Sequence, residues 1–557
     1  MPHDDPTPPA SAPATPPGAG GPAAAPGPPA SVAARLLPGL PPLAWLAEVG
    51  PGGVSLLHGA DVETFPDGCF EGCWAGDFDA RGFDEAPHVF GSGLKVRGGR
   101  ALFVTPSHTL DALYALRRDG GRAVAVSNSL AFLVRFAGLE LPFDLGIGAR
   151  LTSVKRGLGA YERAIFEGPG WTLHRFVHEN FEVRAQAAGG DGVPRPAPKP
   201  PEPAFADYAG YEALLEGVLA AVARNGAAPG RRVRYPLTTT CSSGYDSTAC
   251  AALAAPLGCR RALTLGTARN GLSDSGREVA AALGLELVEL ERPSRARGTG
   301  LEEAEFFATG MGGEDYVFLG FGPRCARHVL LTGFHGDVVW DRLGGPADDL
   351  RRKDVSGSTM TELRLRHGFV QVPVPFIGAT RHGALLAISG GEEMRPYRVA
   401  EFYDRPVPRR IAEERGVPRG AFGTVKKAAS VVFDWGGLFW SPHTLRDLRA
   451  FEARLLARQG VPRAEYRRRC AWQSAALLGA QAVAWSGKKV GLPKLGRPIL
   501  GPIVRRYRYT HPRYDSMAFL WAVERVGTRY AAADAWCAAP ERRGTDAARG
   551  AARAGAA

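Results

Sequence analysis

Thr240-Cys241-Ser242-Ser243-Gly244-Tyr245-Asp246-Ser247 is the stretch on which the fold turns. Arg234 to Thr240 before it reads as a strand, and the Ala-rich run Ser247 to Ala255 after it reads as a helix. A strand that enters a helix through small and hydroxylated residues makes an anion site. The first N–H groups of the helix have no intrahelical acceptor, and the helix dipole reinforces them. Small residues let a phosphate approach the backbone closely. Ser242 and Ser247 add hydroxyl donors, whereas Asp246 would repel a bare phosphate, so the combination implies a bridging cation, Mg²⁺.

Outward from this loop, elements alternate. Tyr208 to Val222 has helical spacing, Ala262 to Gly266 reads as a strand, Gly276 to Leu283 as a helix, and Leu285 to Leu290 and Val329 to Thr332 as strands. That alternation implies βαβ units and a parallel sheet, an α/β fold. Helical segments dominate after about residue 395. Upstream, residues 40–186 carry short apolar runs such as Ala101-Leu102-Phe103-Val104, separated by Gly-rich turns, and read as a β-rich domain. Prolines from Pro194 to Pro203 mark a linker over 187–204, followed by one domain over 205–540. Residues 1–39 and 541–557 read as disordered tails of Pro, Ala, Gly and Arg.

The length of 557 residues suits several domains, and a hydrophobic fraction of 45% excludes wholesale disorder. There is no Gly-X-Y period, no secretory signal pattern and no apolar stretch long enough to span a membrane. The net charge of +12 fits an anionic ligand, a nucleic acid or a membrane surface equally well, but the basic residues are scattered. The eight Cys follow no metal spacing and read as small buried residues of a reducing, cytoplasmic compartment.

The loop resembles the Ser-Gly-Gly-x-Asp-Ser loop of the PP-loop ATP pyrophosphatases, and within them the asparagine synthetase family, with Ser243 in place of the first Gly. Ala262-Leu263-Thr264-Leu265-Gly266, then Ser273-Asp274-Ser275 and a helix, are similar to the family's adenine-contacting strand and its short Ser-Asp segment. Leu331-Thr332-Gly333-Phe334-His335-Gly336-Asp337 resembles its Ser/Thr-Gly-x-Gly-Ser-Asp segment, and Val374-Pro375-Phe376-Ile377-Gly378 its Arg-x-Pro-Phe-Leu-Asp stretch. The resemblance implies a PP-loop, adenine nucleotide alpha hydrolase-like synthetase domain using ATP and Mg²⁺. It implies nucleotide contacts at Ser242, Ser243, Gly244, Asp246, Ser247 and Gly333, adenine contacts along Leu263, Thr264 and Leu265, and Mg²⁺ ligands at Asp246 and Asp337. Related synthetases carry a phosphate-binding Lys after a helix such as Arg409 to Glu414, which makes Lys426 or Lys427 the candidate. Phe334 stands where related enzymes use a proton-transferring side chain, and His335 beside it is the candidate general base.

More faintly, Phe70-Glu71-Gly72, Asp77-Phe78-Asp79 and Val126-Ser127-Asn128-Ser129-Leu130 resemble the family's glutaminase domain, an Ntn-amidotransferase-like fold. That chemistry needs an N-terminal Cys, and Met1-Pro2 opens this sequence. The implied activity is therefore an AMP-forming ligase that adenylates a small-molecule or peptide carboxylate and forms an amide, without glutaminase activity of its own. Its nitrogen would come from ammonia, from an amine supplied by a partner protein, or from the substrate itself. Two other readings remain: a nucleotide-binding pseudoenzyme or scaffold, favoured by Ser243, Phe334 and Val338, and a PP-loop RNA-modifying protein. Lys488-Lys489 and Arg505-Arg506-Tyr507-Arg508-Tyr509 interleave charge with aromatics, but nucleic acid is not the expected partner, because no nucleic-acid fold accompanies them. Residues 341–360 are a candidate lid.

Overall fold

The computed structural model describes residues 32–120, 123–184, 192–269, 271–293, 301–399, 403–424, 427, 429–430, 440–489 and 510–537. The protein is mixed α/β: a β-rich N-terminal region built mainly from antiparallel pairs, then an all-parallel five-stranded sheet.

The N-terminal region has a seven-stranded and a six-stranded sheet. Their facing side chains, among them Trp45, Leu56, Leu94, Phe103 and Phe181, form one buried cluster, and Trp45 stacks on Phe103 at 6.3 Å. Val32–Leu36 corrects the expected tail over 1–39. It pairs in parallel with Gly53–His58, although its own side chains are mostly exposed. Backbone pairing alone makes this edge strand, so no hydrophobic alternation announces it. Within the Pro-rich 187–204 stretch, Arg195–Ala197 adds to the six-stranded sheet against Asn180–Arg184. Pro196 is tolerated there because the strand is an edge.

The parallel sheet runs β1 (Leu237–Thr240), β2 (Arg261–Leu265), β3 (Glu286–Leu290), β4 (Val329–Thr332) and β5 (Val370–Pro373), in the spatial order β3-β2-β1-β4-β5. The order reverses around β1, where the chain turns from one half of the sheet to the other. Helix α1 (Tyr208–Ala227) precedes the sheet, α2 (Tyr245–Ala254) follows β1 and α3 (Arg277–Ala282) follows β2. The run Ala249-Cys250-Ala251-Ala252 of α2 is wholly buried. Its small side chains let the helix lie close to the sheet. β5 has no counterpart in the sequence reading, because Gln371 interrupts a short apolar run that adjoins the Val374–Gly378 motif.

A buried ionic cluster joins the two parts. Helix α4 (Thr361–His367) projects Arg364 into the β-rich region. Its Nη1 and Nη2 donate to the Glu71 carboxylate at 2.6 and 3.0 Å, and Nε lies 3.3 Å from Asp111. Ser129 and Tyr530 both donate to Glu362 at 2.7 Å, and Thr361 donates to Asp111 at 2.6 Å. Burial works against the Arg364 charge, but Asp111 and Glu71 outweigh it and hold the guanidinium above its ordinary pKa. Removing one member of such a cluster strands the others. Arg364→Met should lower unfolding stability by about 3–5 kcal/mol in denaturant melts. The double variant Glu71→Gln/Arg364→Met should recover much of that loss. Equal losses in both variants would show that the ionic pairing does not set the cost.

Candidate functional site

A cleft of about 180 Å³ opens at the C-terminal ends of β1, β2 and β4. Crevices beyond the carboxyl ends of parallel strands, where the strand order reverses, are where such sheets bind ligands. A larger groove of about 270 Å³, between Leu130–Ala137, Pro442–Arg458 and Ala518–Gly527, is walled mainly by apolar side chains and lies away from these strand ends.

The 242–247 loop forms the cleft floor, held by its own hydroxyls. Ser242 N donates to Ser247 Oγ at 3.0 Å, Gly244 N donates to Ser242 Oγ at 3.1 Å, and Thr248 Oγ1 donates to Ser242 O at 3.1 Å. Ser243 does not have the positive φ that would require glycine, so its side chain is free of backbone strain. It donates to Asp274 at 2.8 Å and receives Lys427 Nζ at 2.8 Å. Burial pushes the Asp274 carboxyl up, and the Ser243 and Lys427 contacts pull against that shift. The Ser273-Asp274-Ser275 segment thus braces the loop, and Ser242 and Ser275 form an isolated bridge.

Two glycines let the next strand approach. A Cβ on Gly333 would lie 2.6 Å from Asp246 Cβ, and one on Gly336 2.6 Å from Asp246 Cγ. The end of β4 therefore lies against the first turn of α2.

Ser242, Gly244, Asp246, Ser247, Leu263, Thr264, Leu265, Gly333 and Lys427 all border the cleft. Ser243 reaches it through Lys427. Lys426 lies outside the described residues. So do Arg505-Arg506-Tyr507-Arg508-Tyr509 and the side chains of Lys488 and Lys489. His335 does not line the cleft. It takes a left-handed backbone, φ 76°, and stacks on Phe376 at 4.6 Å. Burial, with Arg352 nearby, holds its imidazole well below the ordinary range, so it is a neutral packed ring and not a base facing a ligand. Asp337 also lies outside the lining, in the turn Gly336–Val339 after β4. Burial, then Asp354 and Asp246, push its carboxyl up. The C-terminal end of the 341–360 segment is held, since Asp315 accepts from Gly357 N at 2.8 Å and Thr359 N at 3.0 Å.

The sequence reading passed over several wall residues. Phe318 and Phe321 line the cleft with Phe334, and Phe318 meets Phe334 edge-on at 5.7 Å. They come from a stretch without any motif. Thr332 Oγ1 is buried at the cleft and has no hydrogen-bond partner among the described residues. Helix α5 (Pro406–Glu413) places Arg405 at its N-cap. Arg405 Nη1 contacts both Asp246 oxygens, one of them at 2.6 Å. Arg409 Nη2 donates to Tyr245 OH at 2.8 Å, which fastens α5 to α2.

A cation shared by Asp246 and Asp337 does not fit this donor set. Both Asp246 oxygens face Arg405, and Asp337 lies outside the cleft lining. Among the described residues no group of three or more His, Cys, Asp or Glu is arranged to hold a metal. The seven cysteines whose side chains are described are buried and unpaired, and no described helix is long and apolar enough to cross a membrane.

No family model matches the sequence, and no curated protein matches it either.

The close approach at Gly333 gives a direct test. Gly333→Ala should destabilise the fold by about 1–3 kcal/mol through overpacking. It should also displace the 242–247 loop, because the first turn of α2 must shift to admit the methyl group. A variant as stable as the parent would show that the contact gives way freely.

Proposed function

We propose that the chain binds ATP in this cleft and is an asparagine synthetase-like, AMP-forming ligase. One observation carries the reading: a hydroxyl-rich loop at the N-terminus of α2 faces a Lys in a cleft at the reversal point of a parallel sheet. The polyphosphate lies over the loop, with Ser242, Ser247 and the first amides of α2 as donors and Lys427 as a point charge. Adenine lies along Leu263, Thr264 and Leu265, opposite the aromatic wall of Phe318 and Phe321. The buried Thr332 hydroxyl is a further donor awaiting an acceptor. The order of the loop, the Ser-Asp segment and the Thr-Gly segment in the sequence supports this placement.

The chemistry follows from the position of the phosphates. A carboxylate oxygen attacks the α-phosphorus and pyrophosphate leaves, giving an acyl-adenylate. An amine then attacks the acyl carbon, loses a proton and expels AMP, leaving an amide. The site contributes positioning and charge neutralisation. The nitrogen is ammonia, an amine from a partner protein, or an amine on the substrate.

A second reading has its own observation. The neutral His335 ring is packed on Phe376 away from the cleft, so the base expected from the sequence does not face a substrate. That favours a protein that binds nucleotide without turning it over.

Calorimetry of ATP binding tests the shared part, and Lys427→Ala should weaken affinity at least tenfold, about 1.4 kcal/mol. A panel of carboxylic acids with hydroxylamine as the amine should then give pyrophosphate, AMP and a hydroxamate. Binding without product on any acid favours the second reading. Absence of ATP binding overturns both.

A further inference from the structure

We infer that Asp246 is the anchor of Arg405 and not a metal ligand, so that polyphosphate binding at the 242–247 loop is independent of divalent cations. The inference rests on the nucleotide reading above and concerns the same cleft.

The contacts carry it. Asp246 is the sole carboxylate within the loop, in the first turn of α2. Left bare, it would oppose a phosphate on the neighbouring amides. Arg405 Nη1 meets both of its oxygens. The guanidinium is 6% exposed at its side chain and is set by the start of α5, where Arg409 N donates to Arg405 O at 3.2 Å. Its Cζ also lies 5.5 Å over the Tyr403 ring. The cation is therefore built in on a rigid element, and a dication at Asp246 would have to displace it or lie beside it.

Two of the neighbouring acids are already paired. Asp404 holds Arg342 at 3.1 Å, and Asp341 holds Lys353 at 2.6 Å. Lys353 also donates to Asp337 O at 2.5 Å, which adds another positive charge beside that carboxyl. On the opposite side of the loop, Lys427 reaches Ser243. With the Asp246 charge met by Arg405, the amides of α2 and Lys427, which also faces Asp274, remain to receive an anion without a metal.

The test is calorimetric titration of ATP into the full chain, once in EDTA and once with saturating Mg²⁺, for the parent, Arg405→Gln and Asp246→Asn. The parent should bind in EDTA with an affinity within tenfold of that in Mg²⁺. Arg405→Gln uncovers the Asp246 carboxylate, so its affinity in EDTA should fall at least tenfold and return when Mg²⁺ is added. Asp246→Asn, whatever its absolute affinity, should leave the ratio of the Mg²⁺ and EDTA affinities at the parent's value, and it provides the decisive arm if Arg405→Gln does not fold. A parent that needs Mg²⁺ by more than tenfold overturns the inference and leaves the nucleotide reading standing. So does an Asp246→Asn variant that folds with that ratio changed by more than tenfold, or an Arg405→Gln variant that binds in EDTA as the parent does. A parent that binds under neither condition overturns the nucleotide reading itself, and this inference with it.

Discussion

The close contact between Asp246 and the turn after β4 fixes everything around the cleft. The positions of Gly333 and Gly336 leave no room for a side chain against Asp246. That constraint brings the N-terminus of α2 to the ends of both β1 and β4. It also leaves the Asp246 carboxylate facing α5, where Arg405 meets it. The loop hydroxyls, the Asp274 brace and the reach of Lys427 then follow as ways of holding the loop's remaining polar groups. A buried or half-buried polar group without a partner costs more than a satisfied one gains, so each bond in this set is needed.

Much of this was legible in the sequence because it is local. The strand-loop-helix around 240–255 announces itself by an apolar run, small residues and an Ala-rich helix, and the structure places β1 and α2 there with boundaries shifted by a few residues. Val329–Thr332 is recovered residue for residue. What was not legible depends on partners far away in the chain. Nothing near Arg405 shows that it would meet Asp246, 159 positions earlier. Phe318 and Phe321 carry no pattern, and they become walls only because their helical turn packs beside Phe334. His335 misled for a physical reason: its position in the motif suggested chemistry, but a left-handed backbone turns the ring onto Phe376. The edge strand Val32–Leu36 is likewise made by pairing and not by pattern.

The metal expectation failed to fit for the same non-local reason. Read alone, an Asp in a phosphate loop calls for a dication to reconcile it with its ligand. Read with α5 in place, the reconciling charge is already there as a guanidinium. A planar fork is pre-organised for a carboxylate in a way that a flexible ammonium is not, which suits Arg405 to that task and Lys427 to a mobile anion.

The β-rich region completes the site and does not merely accompany it. Leu110 belongs to the same buried cluster as the parallel sheet, and it lies with the Phe334 ring around Gly357. His108, two residues earlier, packs against Phe376, the ring that also holds His335. Asp111, one residue later, is part of the Arg364 cluster. One short loop of the N-terminal region thus touches the back of the cleft wall at one end and the ionic cluster at the other. Any movement of the two regions relative to each other would have to break that buried charge cluster and uncover Phe334 together. The wall of the cleft is therefore held by the same contacts that hold the two regions to one another.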